Sequence, residues 1–455
     1  MSVHEPDEKF TDLGNAKRLV ARHGDDIRYV PAWGCWLEWD GRRWCRDETG
    51  AVMCRAKGTI RSLDSEVARL NHHEQRKSLR THINRSEHVA RLEAMVRLAS
   101  TERGIALRPE QLDADPNLLN CLNRTIDLRN GAMREHRRED LITKLAPVHY
   151  DSGARSELWD DFLSSAAGGD QELALFLQRA AGYTAFGINS EEVFFVILGG
   201  TATGKSTFVE ALKAALGDYA MTADFETFLR RNQSDGPRND LARLRGARLV
   251  TAGEVAPGRQ LDETTVKALT GGDTIAARFL HREFFEFTPQ MTIWLHANHR
   301  PAVRDDDPAI WRRIRVVPFE SEVPKEKRDP SVKARLKDPK DGGPAVLLWI
   351  IAGAQAWREG GLGESRAVRT ATAAYQAEMA TFAEFIEDKC VEAPEQWVGS
   401  ARLMTAYQSW STQQGFRLPY GPKRIKDVLR GRGHSPQKRG GVRGWQGIGL
   451  IGPAA

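Results

Sequence analysis

A glycine-rich loop between an apolar run and a helical pattern carries the clearest chemistry in this 455-residue sequence. The apolar run, 193–198, has the length and the β-branched and aromatic content of a strand buried on both faces. The loop after it fits G-x-x-x-x-G-K-[ST], and the helical pattern that follows ends at Gly217 as a C-cap. The loop and the start of the helix comprise Gly199, Gly200, Thr201, Ala202, Thr203, Gly204, Lys205, Ser206 and Thr207.

The order of strand, glycine loop and helix predicts a phosphate site. Glycines let backbone N–H groups approach a phosphate closely, and a helix N-terminus adds partial positive charge. Lys205 would reach the β- and γ-phosphates of ATP, and the Ser206 hydroxyl would hold Mg²⁺. A glycine-rich turn without a ligand explains the Lys-Ser pair and both flanks poorly.

Polar residues at the ends of further apolar runs can complete this chemistry. Glu254 ends a second short strand, where it would polarise the attacking water beside Mg²⁺; a surface glutamate after a strand is the alternative. Asn298 ends a third strand, 291–298, and its amide could orient the water or contact the γ-phosphate. Arg312 and Arg313 lead into another strand, 315–319, and suit an arginine finger.

The segment between Glu254 and Asn298 predicts a contact with nucleic acid. Lys267 precedes a stretch from Arg278 that resembles a hairpin with a basic tip at His281 and Arg282. Such a loop could project into a central channel and grip a nucleic-acid backbone.

Composition indicates a globular chain without a membrane segment. It is 41% hydrophobic and 28% charged, with a formal net charge of +5. No apolar run approaches the roughly 20 residues of a membrane span, and the N-terminus has no signal-peptide core. The five cysteines form no C-x-x-C pair, so we expect reduced thiols in a cytoplasmic protein and no zinc site.

The elements around the loop predict an α/β architecture in several parts. We expect an α+β N-terminal domain (1–150), a helical linker (151–187), the ATPase core (188–322), a helical continuation (323–390) and a tail domain (391–455). In the first, Trp33 to Trp44 predicts a hairpin around an Asp-Gly turn, and burial of its rings is favoured over stacking on bases. His72, His73, His82 and His88 are expected on solvated faces of charged helices, and Asp113 with Asp115 in a turn.

The tail predicts a winged-helix-like DNA-binding domain. Two helical patterns, 401–413 and 423–430, precede a turn-rich segment, 431–441, and a strand-like stretch, 445–451. Lys and Arg dominate 423–443, with Asp427 as the acid among them, which suits docking on phosphates; a merely solvated basic face is the alternative. The proposed contacts are Lys423, Arg424, Lys438 and Arg439.

These motifs together resemble the superfamily 3 helicases, specifically the phage and plasmid primase–helicase group (D5-like, P4-type) in its helicase part. The matching stretches are GGTATGKST, RLVTAGE, KALTGGD, TIWLHANHRP and WRRIRVVPF. WLEWDGRRW and the stretch 122–128 resemble the family's domain ahead of the helicase. The likeness covers most of the chain and is densest over about 190–320.

The resemblance implies an AAA+-related P-loop ATPase core with a parallel sheet, assembled as a ring that is most often a hexamer. ATP would bind between subunits, with the finger (Arg312 or Arg313) given by the neighbour. By position, Lys205 and Ser206 belong to Walker A, Glu254 ends Walker B and Asn298 is sensor 1. Lys267 lies in the motif before the DNA-gripping hairpin.

The sequence departs from the family pattern at two places. Its Walker B strand carries one acid, with Gly253 where many relatives have another acid, so metal coordination rests more heavily on Ser206. Arg124 stands where a glycine is common. The first 150 residues show no convincing primase metal triad, so we expect no primer synthesis by this chain. Whether the N-terminal domain binds a separate primase or polymerase, DNA or another subunit stays open.

The favoured function is an ATP-dependent DNA helicase that replicates a phage, plasmid or other mobile element and moves on single-stranded or forked DNA. An ATP-regulated DNA-binding initiator or adaptor without unwinding is an alternative. A small-molecule P-loop kinase is another, and it would have no use for Arg312 or the basic tail.

Overall fold

The computed structural model describes residues 9–230, 238–253, 259–279, 283–301, 303, 308–414 and 421–452; at 327, 378, 380, 381, 423 and 424 it describes the backbone alone. The chain divides into two compact units, Met1–Asp127 with Met133–Leu145, and Leu128–Ala132 with Ala146–Ala455. Across the described ranges, no helix is both long and apolar enough to cross a membrane.

The first unit mixes helices and short antiparallel strands. Its helical part surrounds a core that includes Leu63, Met95 and Ile105. The elements in chain order are α1 (Asp12–His23), β1 (Ile27–Val30), β2 (Cys35–Trp39), β3 (Trp44–Arg46), α2 (Ala51–Arg69), α3 (His73–Ser86), α4 (Val89–Ala99), β4 (Leu118–Asn120), β5 (Thr125–Asp127) and β6 (Ala132–Arg134).

The tryptophan-rich hairpin is confirmed, as strands β2 and β3. Trp39 pairs with Trp44 across the antiparallel strands. The turn forms because Asp40 Oδ1 accepts hydrogen bonds from the backbone N–H groups of Arg42 (2.7 Å) and Arg43 (2.9 Å). Trp44 is buried, so this part of the hairpin serves a local core.

The expectation that His82 lies on a solvated face is wrong. Its side chain is buried, and its Nε2 lies 2.8 Å from Asn15 Oδ1 of α1. Helix α3 is therefore held to α1 by a polar contact, which its charge pattern conceals. Burial, with the nearby Arg18 guanidinium, lowers the pKa of His82.

The second unit contains the glycine loop. Its elements in chain order are α5 (Glu157–Ala166), α6 (Gln171–Phe186), β7 (Phe194–Leu198), α7 (Lys205–Leu216), β8 (Ala220–Thr222), α8 (Asn239–Ala242), β9 (Leu249–Gly253), α9 (Glu263–Gly271), β10 (Ile275–Ala277), β11 (Phe285–Phe287), β12 (Thr292–Ala297), α10 (Pro308–Trp311), β13 (Ile314–Pro318), α11 (Ser331–Lys337), α12 (Gly343–Gly360), α13 (Arg366–Lys389), β14 (Cys390–Gly399), α14 (Ser400–Gln413), α15 (Pro422–Gly431), β15 (Ser435–Arg439) and β16 (Val442–Leu450).

A five-stranded sheet within these described residues organises the unit, in the order β13-β7-β12-β9-β8. Every neighbouring pair is parallel, as the family resemblance implied. Strand β7 is buried throughout because both faces of the sheet are covered. The short edge strand β8 was not predicted, since three residues carry no periodicity that sequence reasoning can read.

One face of the sheet is covered by helices that stack aromatic rings on it. Trp294 of β12 lies 4.3 Å from Phe195 and 5.7 Å from Phe208 of α7, centroid to centroid. Its indole N–H donates to Thr184 Oγ1 of α6 at 2.9 Å. These contacts fix α6 and α7 on the sheet and so fix where the glycine loop begins and ends.

Helices α6 and α12 approach so closely that each needs a glycine. A Cβ at Gly182 would lie 2.0 Å from the Ala354 backbone nitrogen, and one at Gly353 would lie 2.0 Å from the Gln178 carbonyl oxygen. Neither backbone can move aside without shifting a whole helix.

Gly182→Ala is therefore expected to lower the free energy of unfolding by about 1–3 kcal/mol, since it overpacks a helix contact. Urea unfolding followed by circular dichroism measures the change. Gly58→Ala is the matched control: Gly58 lies in α2 with no atom within 4 Å of its added Cβ. That variant should be as stable as the wild type or more stable, because alanine favours the helix. An equal loss of unfolding free energy in Gly182→Ala and Gly58→Ala would contradict the importance of the close helix contact.

The last residues add a β-α-α-β-β segment to α13. A three-stranded antiparallel sheet, β14-β16-β15, packs with α14 and α15 around a core that includes Tyr407 and Trp445. Phe382 and Phe385 of α13 belong to the same core, so α13 continues into this domain. The predicted turn-rich segment is corrected in part, because Ser435–Arg439 within it is strand β15.

Candidate nucleotide-binding site

The glycine loop joins the carboxyl end of β7 to the first turn of α7, as predicted. Gly204 adopts φ +88° as the residue before the helix, a conformation that suits glycine. Gly199 is required by space, since a Cβ there would lie 1.9 Å from the Phe319 carbonyl oxygen. No side chain caps the N-terminus of α7 within the described chain, so its first N–H groups remain available to an anion.

Lys205 lies inside the curve of this loop. The side chain belongs to a residue only 7% exposed, and its Nζ donates to the carbonyl oxygens of Gly199 (3.0 Å) and Gly200 (2.5 Å). Burial lowers the pKa of this ammonium group, so a phosphate beside it would relieve an electrostatic cost. Ser206, next to it, is exposed at the mouth of the loop.

The carboxyl ends of the parallel strands meet at one edge of the sheet, where the glycine loop follows β7 and Asn298 follows β12. A cavity of about 450 Å³ is lined by Gly199, Gly200 and Asn298, which joins the loop to the residue that follows β12. Glu254 immediately follows β9, but it lies outside the described residues. The structure thus brings the glycine loop and Asn298 together.

The same cavity has a wall that the sequence did not predict. Gly421 and Asp427, from the start and middle of α15, line it. Asp427 is 7% exposed, and its side-chain carboxylate makes no hydrogen bond or ion pair with another described residue. Its position in a basic tail gave no sign of this burial, because only the docking of α15 brings it to the sheet.

The two arginines before β13 lie at the amino ends of the parallel strands, away from the glycine loop. The N–H of Phe194, at the start of β7, donates to the Arg313 carbonyl at 2.9 Å. Strand β13 spans Ile314–Pro318 and rises about 3.3 Å per residue, so its first residue, which follows the arginines, lies about 13 Å from its carboxyl end. Neither side chain reaches the glycine loop of its own chain.

The arginines differ in their surroundings. Arg313 has a side chain only 13% exposed, and its guanidinium pairs with Glu192 at 2.8 Å and donates to the Ala309 carbonyl at 3.0 Å. Arg312 is exposed, and its side chain has no hydrogen-bond or ion-pair partner among the described residues.

The predicted hairpin is confirmed by antiparallel pairing of β10 with β11. Its tip residues His281 and Arg282 lie outside the described residues. Two aromatic side chains near the tip, Phe279 and Phe284, are 42% and 64% exposed, and the Arg278 guanidinium lies 4.7 Å from the Phe284 ring centre. Lys267 lies half-buried in α9, ahead of the hairpin.

The basic residues of the tail fall on two elements. Lys423 and Arg424 lie in the first turn of α15, and their side chains are outside the described part of the chain. Lys438 and Arg439 lie on β15; Arg439 donates to Gln446 Oε1 at 2.7 Å. A groove of about 460 Å³ between α15 and the β15–β16 hairpin is lined by Lys426, Lys438 and Arg443.

Two family models match this chain. Residues 16–168 match the family described as D5 N terminal like, and residues 197–313 match a family of unknown function. The second match begins in β7 and ends at Arg313, so it contains the glycine loop, β9 and β12.

Relatives come from large DNA viruses. A protein named "Putative helicase" from Acanthamoeba polyphaga mimivirus is 26% identical over 83% of this chain and 42% of its own length. Another of that name, from Frog virus 3, is 24% identical over 69% of this chain and 40% of its own length. The chain therefore spans about two fifths of the length of these relatives.

A solved structure of the NrS-1 C-terminal region in its apo form aligns over 95% of this chain and 99% of that one, with a TM-score of 0.48 and 10% identity. At this TM-score and identity, we draw no conclusion about fold or function from that structure. The family match at 16–168 and the viral relatives support the resemblance to D5-like primase–helicases that the motifs indicated.

Proposed function

We propose that this chain is an ATP-dependent DNA helicase of superfamily 3, which serves replication of a phage, plasmid or other mobile element. It would move along single-stranded or forked DNA as a ring, with a hexamer as the expected assembly. One observation carries the proposal. The glycine loop lies at the carboxyl ends of the parallel strands, and Arg312 lies at their amino ends. A separate primase or polymerase is a proposed further partner.

The residues of the loop fit a nucleoside triphosphate. Uncapped N–H groups of α7 and the Lys205 ammonium face the position of the phosphates. Ser206 and Glu254 would hold Mg²⁺, which neutralises charge on the β- and γ-phosphates when bound. Glu254 would polarise the attacking water, and Asn298, in the same cavity as Gly199, would orient it.

Of the two arginines, we assign the finger to Arg312. A finger must project from its own chain to meet the γ-phosphate held by the next protomer. Arg313 is unsuited because its guanidinium is held by Glu192 and a backbone carbonyl. The exposed Arg312 can cross an interface without breaking a hydrogen bond or an ion pair within the described chain.

The hairpin of β10 and β11 is proposed to hold DNA. Exposed aromatic rings and arginine are the combination with which proteins bind single strands, because rings stack on bases and cations pair with phosphates. Phe279, Phe284 and Arg278 supply that combination beside the basic tip.

The tail is proposed as a second DNA contact, and one feature of its sheet supports this. Lys438 of β15 lies directly opposite Arg443 of β16. Like charges in such a pair destabilise a sheet by themselves, and a polyanion between them would remove that cost.

Lys438→Ala and Arg443→Ala are each expected to weaken binding of DNA whatever its sequence, and to reduce the slope of log K against log salt by about 1. Fluorescence anisotropy at several salt concentrations measures both. Lys340→Ala, which removes an exposed lysine before α12, is the control and should change neither. If the slope of log K against log salt is unchanged in both tail variants, the basic face is solvated and does not contact DNA.

One observation favours the second candidate, an ATP-regulated DNA-binding initiator or adaptor without unwinding. Gly421 and Asp427 of the tail domain line the cavity beside the glycine loop, so a nucleotide there would adjoin the DNA-binding domain directly. A small-molecule kinase has no corresponding support, since it needs neither Arg312 nor the basic groove.

Turnover of ATP with and without single-stranded DNA, together with unwinding of a forked duplex, separates these functions. A helicase is stimulated by DNA, separates the strands, and loses turnover but keeps ATP binding in Glu254→Gln. An initiator keeps its function in Glu254→Gln and leaves the fork intact. A kinase shows no stimulation by DNA.

A further inference from the structure

Strand β9 ends in Gly253, the position before Glu254 at which members of the resembled family often carry an acidic side chain. The structure shows what occupies the space of that side chain. A Cβ built on Gly253 would lie 2.1 Å from His296 Cε1, 2.4 Å from Nε2 and 2.8 Å from Nδ1. The imidazole ring of His296 therefore fills the volume that a side chain at 253 would need.

The strand register explains this contact. Gly253 of β9 pairs with His296 of β12, and Ile197 of β7 pairs with His296 on the other side. His296 thus lies in the middle of the sheet, one position before the end of β12 and close to the carboxyl edge. A side chain at that place sits between the glycine loop and the end of β9.

The face on which the ring lies is also informative. Side chains alternate along a strand, so His296 and Trp294 share a face of the sheet. Trp294 contacts Phe208 of α7 on that face. Because α7 begins at the carboxyl edge and runs back over Trp294, its first turn, which contains Lys205 and Ser206, lies at the same edge and on the same face as His296.

We propose that His296 is a positioning residue of the nucleotide site: it replaces the acid missing at position 253 and holds the hydrated metal ion of the nucleotide through a hydrogen bond from its ring. The inference rests on the proposed binding of ATP and Mg²⁺. An imidazole can donate or accept at either nitrogen, so it can orient a metal-bound water or the Ser206 hydroxyl without ligating the metal. Glycine at 253 is then required because any larger residue displaces the ring.

The test measures metal dependence of binding, independently of turnover. The affinity of a fluorescent ATP analogue is titrated with Mg²⁺ and compared with its value in EDTA. Groups that orient the ligands of a metal contribute about 10–100-fold to metal affinity, so His296→Ala should raise the Mg²⁺ concentration required by about that factor while affinity in EDTA stays unchanged. Gly253→Ala should act in the same direction because its Cβ displaces the ring.

Two further variants test whether His296 acts through a hydrogen bond or only by filling the space beside Gly253. His296→Asn keeps a hydrogen-bonding group and should retain part of the Mg²⁺ response, whereas His296→Phe fills the space and should lose it. Gly253→Asp combined with His296→Ala installs the missing acid in the space released and should restore the response.

An unchanged Mg²⁺ requirement in His296→Ala, or a phenylalanine variant as good as the asparagine one, would overturn the proposal. Binding of the analogue to the wild-type protein tests the proposed function separately, since its absence would dismiss the nucleotide site itself.

Discussion

Lys205→Ala is expected to lower ATP turnover by about 10²–10³-fold, the usual loss when one preorganised donor to a developing charge is removed. The ammonium group is buried within the glycine loop, and its present partners are two carbonyl oxygens of that loop. A phosphate is a far stronger partner for a cation than a carbonyl, so this group contributes most when the nucleotide is bound. Phosphate release from ATP in the presence of single-stranded DNA measures the loss.

A lysine from the same helix is the control for Lys205. Lys213 lies near the end of α7, where it pairs with Glu210 at 3.2 Å and donates to Thr222 Oγ1 at 2.8 Å. Lys213→Ala removes the same charge from the same helix and should leave turnover within a few-fold of the wild type. A similar fall in both variants would mean that charge or helix stability, not contact with phosphate, explains the effect.

Arg312→Ala is expected to lower turnover by about 10³–10⁵-fold, the range found where an arginine finger operates. Its guanidinium is exposed at the edge of the sheet that faces away from its own glycine loop. Removing it should therefore leave folding and ATP binding unchanged while the transition state loses a charge. Turnover, analogue affinity and thermal unfolding, measured on one preparation, separate these effects.

Arg313→Ala provides the contrast. This side chain is held within its own chain by Glu192 and the Ala309 carbonyl, so its loss should reduce the free energy of unfolding by about 1.5–3 kcal/mol, the contribution of a hydrogen bond to a charged group. Any loss of turnover should follow the loss of folded protein. If Arg313→Ala removed turnover without changing stability, and Arg312→Ala left turnover unchanged, the finger would be Arg313 and not Arg312.

The sequence alone predicted the elements whose residues alternate or cluster strongly. Strand β7, the glycine loop and α7 follow directly from local pattern, as do β9, β12 and β13. The parallel pairing of these strands agrees with what the resemblance implied, and the β10–β11 hairpin agrees with the pattern of its own residues. The meeting of Gly199 with Asn298 then follows from the carboxyl ends sharing one edge.

What the sequence could not provide were contacts between elements distant in the chain. The two consecutive arginines looked equivalent until the fold placed Glu192 beside one of them. Gly253 looked like a weakened motif until the register of β9 with β12 placed His296 against it. His82 was assigned to a solvated face, and Asp427 was counted only as the acid of a basic tail, although helix packing buries both. In each case the deciding residue lies on another element, which no local pattern records.

The central claim is that a nucleotide held by one protomer is completed by Arg312 of the next, and mixing two inactive variants tests it most directly. Lys205→Ala subunits lack a working glycine loop but keep the finger, and Arg312→Ala subunits keep the loop but lack the finger. Mixed rings contain interfaces where an intact loop meets an intact finger, so ATP turnover stimulated by DNA should reappear and peak near equal proportions. Mixtures as inactive as either variant alone, in rings shown to have exchanged subunits, would contradict the account.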